Sequence, residues 1–339
     1  MKMREYPSLS IIIPVLNMEE TIGQTLDSLM ELDYPGEKLE IVVVDGYSVD
    51  NTVEIVRGYP VKLVYQEGKG LNAARNTGIK NSSGEIIAFT DGDCVIPRDW
   101  AKKLVDNFSD ESIGFVGGSL EGVDKTNIWS NYADESLFQV SPNFTDKWET
   151  NSLIFLQFPA GANMAFRRTA LARIKFFDEN ITYGFDDLQP VEAMSLKGFK
   201  MIFDPGVKVY HHHRRTLMNL LKQHFNYGRG GSLLMIHRRN SFLASWFAAF
   251  LIASLFFTFL VAFLVYLGLK INHDLPLNIV SWLLGSFFLL AVVFYLPVSL
   301  KTMSPWKPFL YPIIDLLRGG TFMLGGLYQL TRSLSAKVS

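Results

Sequence analysis

Two acidic clusters follow apolar runs in the first hundred residues of the chain. Asp45 to Asp50 follow the run IVVV, and Asp91 to Asp93 follow the run IIAF. Ligands of open α/β sheets bind outside the carboxyl ends of the strands, where carboxylates can hold a divalent cation against a diphosphate. The pattern therefore predicts a sheet whose carboxyl edge binds a nucleotide.

The apolar runs alternate with helical patterns. Strands are predicted at residues 10–15, 39–44, 61–65 and 85–89, and helices at residues 21–32, 51–58, 71–81 and 97–108. This alternation is typical of α/β proteins with a doubly wound, parallel sheet. An apolar stretch follows at residues 114–117, and a further strand is predicted at residues 200–203. We interpret the aromatic-rich stretch between them, through Phe158, as substrate-facing loops.

The last third of the chain is strongly apolar. The whole chain is 48% hydrophobic with a mean hydropathy of +0.16, which is high for a purely soluble protein. Residues 242–269 and 279–300 contain no charged side chain, and each exceeds the roughly 20 apolar residues that span a bilayer. We expect both to be transmembrane helices. A third segment, residues 309–330, is interrupted by charged residues and proline, so it can either span or lie in the interface.

The net charge, the single cysteine and the N-terminal segment say less about the class of protein. The net charge of −1 indicates no particular partner, and we expect no nucleic acid. The single cysteine, Cys94, excludes an internal disulfide and fits a reducing compartment. The apolar run near the N-terminus ends at Pro14 and is too short for a signal peptide, so we expect the first domain to stay in the cytoplasm.

The Asp-Gly-Asp sequence at residues 91–93 has a chemical use. Two carboxylates at this spacing can face one ligand, so that one coordinates Mg²⁺ or Mn²⁺ and the other binds a ribose or sugar hydroxyl. Asp-Gly-Asp after a strand is more often a surface turn. The acidic cluster that begins at Asp45, at the end of another strand of the same predicted sheet, favours the ligand site.

Four motifs occur in one order in the first hundred residues: IIIPVLNMEE, IVVVDGYSVDNT, GKGLNAARNTGI and FTDGDC. In this order the chain resembles family 2 glycosyltransferases over about residues 8–230. The resemblance implies the GT-A fold, with a nucleotide-diphosphate-sugar site in the first half and an acceptor site in the second. It also implies a divalent cation, Mg²⁺ or Mn²⁺.

The resemblance assigns roles to residues of the donor half. The donor-binding residues that it implies are Pro14, Asn17 and Glu19 in the loop along the nucleotide, Asp45 on the base, Arg75 and Asn76 near the diphosphate and sugar, and Asp91 on the ribose or sugar. Asp93 is the implied principal metal ligand, with Asp91 as its partner. The structural alternatives are a helix cap for Asp45 and a solvated helix face for Arg75 and Asn76.

The acidic pair in YGFDDLQPVEAMSLKGFK resembles the catalytic pair of the family. Asp187 then deprotonates the acceptor hydroxyl in an inverting displacement, and Asp186 stands where Glu is usual. The alternative is that the pair caps the helix that follows.

His211 fits the family's metal-ligating histidine, six residues after Pro205. An extended segment places His211 and His213 on one face and His212 on the other. Three adjacent histidines also allow a zinc site, for which no second group of ligands is evident.

Two segments are candidates for acceptor binding. GANMAFRR resembles the acceptor-side segment of the family, which gives roles to Gly161 and Asn163; its arginines can also be simply solvent-facing. Residues 214–240 form a basic amphipathic element next to the membrane. Either this element is an anchor, or Arg214, Arg215 and Arg229 bind a lipid phosphate and QHFNYGRGG forms a loop over the donor site.

Together these observations predict a cytoplasmic catalytic domain at 1–213, a juxtamembrane element at 214–240 and a multi-pass membrane region at 241–332 of the cell membrane. The predicted activity is transfer of a sugar from UDP or GDP to a membrane-presented acceptor, for which a polyprenyl-phosphate-linked or polyprenyl-diphosphate-linked glycan is favoured. The alternatives are a processive polysaccharide synthase and an inactive scaffold that retains nucleotide-sugar binding.

Charge bias predicts the orientation of the membrane region. Arg229, Arg238 and Arg239 precede the first apolar segment, and Lys301 and Lys307 follow the second. Basic flanks stay inside, so a reporter joined at Asn272 should appear outside the cell. In inside-out vesicles a protease site at Asn272 should be protected, whereas cleavage there contradicts this orientation.

Overall fold

The computed structural model describes residues 5–136, 146–152, 160–271 and 274–338. The chain divides into two compact units. The first, here called the sheet unit, comprises Met1–Asp134 and Gln139–Arg215, and the second, the helical unit, comprises Glu135–Phe138 and Thr216–Ser339. Parts of the predicted substrate-facing loops, at 137–145 and 153–159, lie outside the described residues, as does Asn272.

The sheet unit begins with alternating strands and helices. These are β1 (Leu9–Val15), α1 (Ile22–Met30), β2 (Leu39–Asp45), α2 (Thr52–Arg57), β3 (Lys62–Tyr65), α3 (Leu71–Lys80), β4 (Ile86–Phe89), β5 (Cys94–Val95) and α4 (Trp100–Asp106). The four predicted strands and four predicted helices of this region are confirmed, with ends that differ by a few residues.

The rest of the sheet unit contributes further strands and short helices. These are β6 (Ile113–Gly122), α5 (Ile128–Glu135), β7 (Trp148–Thr150), β8 (Met164–Arg167), α6 (Arg168–Arg173), α7 (Leu188–Leu196) and β9 (Lys200–His211). The strand order is β3-β2-β1-β4-β8-β6-β9-β5, with β7 beside β9. Strands β1 to β4 are parallel to one another, whereas β8 runs antiparallel to both β4 and β6. The sheet is therefore parallel in its first half and mixed in its second.

Strand β1 is buried on both faces. Ile11 and Ile13 pack with residues of α1 and α4 on one side, and Ile12 packs with α3 residues on the other. Because both faces are covered, the strand is a continuous apolar run rather than an alternating one.

Strands β1 and β4 diverge towards their carboxyl ends. Pairing with β4 ends at Ile12, whereas pairing with β2 continues to Val15, opposite Asp45. Pro14, which has no N–H to donate, therefore lies where β4 no longer pairs with β1. Because β2 and β4 lie on opposite sides of β1, this divergence marks the point at which open α/β sheets bind ligands.

The helical unit consists of α8 (Leu217–His237), α9 (Phe242–Ile271), α10 (Asp274–Thr302) and α11 (Lys307–Val338). Among the described residues, Phe242–Lys270 and Asp274–Thr302 are long and apolar enough to cross a membrane. Large apolar side chains on both are exposed, as at Phe259 and Trp282. Such a continuous apolar surface fits a lipid environment.

Helix α11 contains the third apolar segment and continues through Pro312. The two charged residues that interrupt this segment, Asp315 and Arg318, have partners inside the helical unit. Asp315 accepts a hydrogen bond from the Tyr295 hydroxyl, and Arg318 Nε donates to His224 Nε2 at 2.8 Å. The charges that interrupt this segment therefore contribute to packing between helices.

The segment QHFNYGRGG does not form a loop over the donor site, and this prediction was wrong. It lies within α8, where its glycines allow close packing. A Cβ atom added at Gly228 would lie 1.8 Å from the Phe322 carbonyl oxygen of α11, and one at Gly325 would lie 1.9 Å from the Phe225 carbonyl oxygen of α8. The two helix backbones are thus in direct contact, as in other small-residue helix pairs.

The close contact predicts an asymmetric response to alanine. Gly228→Ala forces α8 and α11 apart, and overpacking of this kind costs about 1–3 kcal/mol or more. Gly319→Ala is the matched control, because no atom lies within 4 Å of its added Cβ and alanine is the better helix former. Thermal unfolding in detergent should show a lower midpoint for Gly228→Ala alone. Equal midpoints for the two variants would contradict the contact.

Candidate active site

The register of β5 against β9 brings the predicted metal ligands together. Cys94 lies opposite His211 in this pairing, which places the neighbouring Asp93 beside the histidine ring. His211 Nε2 is 3.2 Å from Asp93 Oδ1. The backbone N–H of His212 donates to the Asp93 carbonyl oxygen at 2.9 Å and fixes the turn.

The side chains at this position fit a divalent cation. Asp93 Oδ1 is buried and accepts no hydrogen bond among the described residues, although His211 Nε2 is near it. A carboxylate oxygen and an imidazole nitrogen are suitable ligands for Mn²⁺, and carboxylates suit Mg²⁺. Cys94 Sγ lies in the same cluster, but burial raises the pKa of this thiol well above its usual value. A protonated thiol is a poor ligand, so Asp93 and His211 are the better candidates.

The two carboxyl groups of the Asp-Gly-Asp sequence differ in acidity. Burial, followed by the charge of Asp93, raises the pKa of Asp91 to about 6. Burial opposes ionisation of Asp93 as well, but the charges of His211 and Arg214 lower its pKa below the usual value. A cation bound beside them would favour the ionised form of both.

Asp45 is fully buried at the end of β2. Its Oδ2 accepts hydrogen bonds from the backbone N–H groups of Tyr47 at 2.8 Å and Ser48 at 3.0 Å. Its Oδ1 accepts none among the described residues. The helix-cap alternative for Asp45 is wrong, because Asp50 is the residue whose carboxylate accepts from the first turn of α2, at Thr52 N.

Asn17 and Glu19 join the loop after β1 to the loop after β2. Asn17 Oδ1 accepts from Val49 N at 2.9 Å, and Glu19 Oε2 accepts from Asn51 N at 3.0 Å. Asn17 has a left-handed backbone with φ 53°, which asparagine tolerates better than most residues. These contacts shape the loop beside the point at which β1 and β4 diverge. Direct contact of Pro14, Asn17 and Glu19 with a nucleotide-sugar donor stays a prediction.

Arg75 is buried in the sheet unit with 1% of its surface exposed. Its Nη1 forms an ion pair with Asp186 Oδ2 at 2.5 Å, and its guanidinium lies 5.3 Å from the centre of the Phe177 ring. The solvated-face alternative is therefore wrong for Arg75. Asn76 donates to the Phe177 carbonyl oxygen and to Glu179, so its amide holds the 177–179 segment, and its donor contact stays a prediction.

Asp187 occupies the N-cap position of α7 but makes no side-chain cap hydrogen bond. Its Oδ2 instead accepts from Gly161 N at 3.1 Å. Burial, followed by the charge of Asp186, raises the pKa of Asp187 to about 7. A carboxylate with a pKa near neutrality is suited to general base catalysis, which favours the catalytic interpretation over the cap.

The packing around residue 161 leaves no room for a side chain larger than that of glycine. A Cβ atom at this position would lie 2.5 Å from Arg75 Nη2. The glycine therefore allows the buried guanidinium, the acidic pair and the 161 backbone to pack together. Its contact with an acceptor stays a prediction.

Asn163 is a correction to the sequence-based assignment. It is fully buried, its Oδ1 accepts from Trp100 Nε1 at 2.9 Å, and its Nδ2 donates to the carbonyl oxygens of Ser119 and Val207. Its amide thus stabilises the core and does not face an acceptor. The arginines of this segment are not simply solvent-facing either, since Arg167 pairs with Glu85 and Arg168 donates to the Gly84 carbonyl oxygen.

The three arginines proposed to bind a lipid phosphate have different surroundings. Arg214 is exposed in the sheet unit, and its charge acts on Asp93. Arg215 is paired with Asp124 at 2.9 Å. Arg229 belongs to the helical unit, where it donates to Gln329 Oε1 at 3.2 Å. Among the three, Arg214 is therefore the arginine whose charge acts on a predicted metal ligand.

The acidic pair lies around Arg75, which forms the ion pair with Asp186. A Cβ atom added at Gly161 would lie 2.5 Å from Arg75 Nη2 and 3.4 Å from Asp187 Cβ, so Asp187 is close to the same guanidinium. The charges of Arg75 and His211 also act on Asp91 and lower its pKa against the effect of burial. This arrangement can hold a cation and an anionic leaving group beside a base of nearly neutral pKa.

Sequence reasoning missed one acidic residue at this site. Asp134 Oδ1 lies 2.8 Å from His213 Nε2, next to the metal ligands. Asp134 comes at the end of α5, in a region with no recognisable motif, so no sequence signal pointed to it.

Comparisons with known proteins show the class of enzyme to which this fold belongs. The sequence model of the family described as Glycosyl transferase family 2 matches residues 10–175. Glycosyltransferase AglE of Haloferax volcanii is 30% identical over 230 residues, which cover 66% of this chain and 73% of that protein. Probable glycosyltransferase YdaM of Bacillus subtilis is 26% identical over 322 residues, 86% of this chain and 74% of that protein. The chain belongs to glycosyl transferase family 2.

A solved structure supports the fold. Mannosyltransferase PcManGT from Pyrobaculum calidifontis, in complex with GDP-Man and Mn²⁺, superposes with a TM-score of 0.56 and 23% identity, over 93% of this chain and 87% of that one. The predicted GT-A fold is therefore confirmed.

The raised pKa of Asp187 predicts a gain in stability when its charge is removed. This pKa is about 7 in the folded protein and lower in the unfolded chain, so the folded state loses stability as the pH rises towards and through 7. Asp187→Asn should therefore raise the midpoint of thermal unfolding at about pH 8 and change it less at about pH 5. The opposite control is Asp124→Asn, because hydrogen bonds from Thr126 lower the pKa of Asp124 to about 2. Its midpoint should fall at about pH 8, and a fall for both variants would contradict the burial of Asp187.

Proposed function

We propose that this protein is a membrane-anchored, inverting glycosyltransferase that acts at the cytoplasmic face of the membrane. It transfers a sugar from a nucleotide diphosphate to a lipid-linked acceptor, a polyprenyl-phosphate-linked or polyprenyl-diphosphate-linked glycan. The observation that supports this proposal most is that the sheet unit places Asp93 beside His211 and places Asp186 and Asp187 beside the buried guanidinium of Arg75.

The donor side fits a nucleotide diphosphate with a divalent cation. Asp93 and His211, with Asp91 beside them, would hold Mg²⁺ or Mn²⁺. The cation would neutralise charge on the leaving diphosphate. PcManGT was solved with GDP-Man and Mn²⁺, which supports a nucleotide-diphosphate sugar and a divalent cation as the molecules bound here. The free Oδ1 of Asp45 is suited to accept an N–H group, and because uracil and guanine both offer one, UDP and GDP remain alternatives.

The acceptor side fits a hydroxyl nucleophile. With a pKa of about 7, Asp187 can take the proton from the acceptor hydroxyl while the oxygen attacks the anomeric carbon and the nucleoside diphosphate leaves from the opposite face. The ion pair between Arg75 and Asp186 holds the neighbouring carboxylate in place. One displacement of this kind inverts the configuration of the sugar.

The membrane location rests on the helical unit. Its two apolar helices are long enough to span, and exposed Arg238 and Arg239 directly precede the first of them. Basic residues at that position favour a cytoplasmic sheet unit. An enzyme held at the bilayer meets acceptors carried by membrane lipids at high local concentration, which favours a lipid-linked acceptor.

The proposal predicts different effects on transfer for a substitution of the proposed metal ligand Asp93 and for one of the proposed base Asp187. The effect at Asp187 should depend on the acceptor. The purified full chain would be assayed in detergent with UDP- and GDP-sugars and Mn²⁺, using a polyprenyl phosphate, a lipid-linked saccharide and a soluble saccharide as acceptors. Asp93→Asn should abolish transfer to every acceptor. Asp187→Asn should slow transfer to a sugar hydroxyl by roughly 10²–10⁴-fold, but slow transfer to an already ionised phosphate less. The exposed Glu54→Gln is the matched control and should keep full activity.

The products and acceptors of this assay distinguish the alternatives. Addition of one sugar per acceptor supports a single transfer, and long polymers favour a processive synthase. Nucleotide binding without transfer from any donor favours the inactive scaffold. Transfer to the soluble saccharide alone would contradict the lipid-linked acceptor, and full activity of Asp93→Asn would contradict the metal site.

A further inference from the structure

Four side chains of the sheet unit form a continuous row that ends at the metal ligands. Asp134 Oδ1 is 2.8 Å from His213 Nε2, and His213 Nδ1 is 3.0 Å from His211 Nδ1. His211 Nε2 then faces Asp93 Oδ1 at 3.2 Å. The side chains are between 9% and 14% exposed, so water competes little for these contacts.

The local backbone explains this row. Strand β9 ends at His211, and the backbone N–H of His213 donates to the His211 carbonyl oxygen at 3.1 Å. The rings of His211 and His213 lie together with their centres 4.9 Å apart, while the ring of His212 contacts Gln24. Asp134 is held by Gly122 N, at 3.0 Å and 3.1 Å from its two oxygens. A Cβ atom at 122 would lie 2.8 Å from the His213 ring, so glycine leaves room for that ring.

Hydrogen-bond roles along the row allow one arrangement that leaves His211 free to bind a metal. A metal on Nε2 requires the ring proton of neutral His211 to be on Nδ1. That N–H then donates to His213 Nδ1, which must be unprotonated. His213 consequently carries its proton on Nε2 and donates it to Asp134. In this arrangement every ring nitrogen has one hydrogen-bonding or metal-binding role.

We propose that Asp134 and His213 are positioning residues that hold His211 as a metal ligand. This inference rests on the proposed metal-dependent function. In metal sites a carboxylate commonly accepts the second N–H of a ligating histidine and fixes its orientation. Here a second histidine is interposed between the ligand and the carboxylate.

The hydrogen-bond acceptor His213 Nδ1 decides which tautomer of His211 is favoured. If this acceptor is removed, a proton on His211 Nδ1 is sheltered from water and has no partner, which is unfavourable. The ring then favours the other tautomer, in which Nε2–H donates to Asp93 Oδ1 at the 3.2 Å contact. In that state His211 cannot bind the cation, and it also occupies an oxygen of the principal ligand Asp93.

Two substitutions at residue 213 separate positioning from simple packing. The side-chain amide of asparagine reaches the position of the histidine Nδ1 atom. His213→Asn therefore retains a hydrogen-bond acceptor for the Nδ1–H of His211. The longer Gln reaches the place of Nε2, so His213→Gln retains a donor to Asp134 but loses the acceptor for His211. A merely structural link to Asp134 is preserved by Gln, whereas positioning of His211 is preserved by Asn.

The test measures binding of Mn²⁺ alone to the purified full chain, by electron paramagnetic resonance. Pulsed measurements report coupling of the bound Mn²⁺ to an imidazole nitrogen, which is a direct sign that His211 is a ligand. We expect His213→Gln to weaken Mn²⁺ affinity about 10–100-fold and to lose the nitrogen coupling. We expect His213→Asn to retain the coupling and most of the affinity. His212→Gln is the matched control within the same tripeptide and should behave as wild type.

The outcomes distinguish this inference from the function on which it rests. If wild type binds Mn²⁺ with nitrogen coupling and His213→Gln keeps both affinity and coupling, the positioning role is overturned and the metal site stands. If wild type binds no Mn²⁺, the metal-dependent function is overturned and the positioning role with it. Metal-free thermal unfolding checks that each variant is folded. If His213→Gln does not fold, His213→Phe keeps a ring, lacks both hydrogen-bond functions and should show the same losses.

Discussion

The ion pair between Arg75 and Asp186 is the interaction on which the site depends. A guanidinium that is 1% exposed requires a carboxylate partner, because an unpaired buried charge is strongly unfavourable. The same positive charge lowers the pKa of both Asp91 and Asp187, against the effect of burial. Gly161 leaves the space that the guanidinium occupies. The charge of one arginine thus acts on Asp91 of the Asp-Gly-Asp sequence and on the pair Asp186 and Asp187.

The sequence predicts the first half of the sheet well, because strands covered on both faces must be continuous apolar runs, and their polar ends are then conspicuous. It predicts polar residues in the second half less well, since their surroundings depend on distant parts of the chain. Asn163 resembles a ligand-binding amide but bonds to Trp100 and Val207. Asp134 has no motif and meets His213 only because the fold brings α5 to the end of β9.

Glycine has different meanings in the two units, and this explains the wrong prediction for QHFNYGRGG. A glycine-rich segment often forms a loop, but Gly228 in α8 provides the space in which a neighbouring helix backbone lies. The meaning of a charged residue in α11 also depends on its surroundings. Arg318 is buried with His224 as its partner and is not exposed to lipid. Hydropathy alone cannot separate a helix that faces lipid from one that packs through polar contacts.

Cys94 is a natural chemical probe of the sheet edge that carries Asp93 and His211. It is the one cysteine of the chain, it is fully buried between Asp93 and the end of β9, and its pKa is raised, so it resists alkylation while the fold is closed. A thiol reagent can therefore label it only when β5 separates from β9. The labelling rate then reports local opening of this edge, and a ligand bound there would slow it without any engineered label.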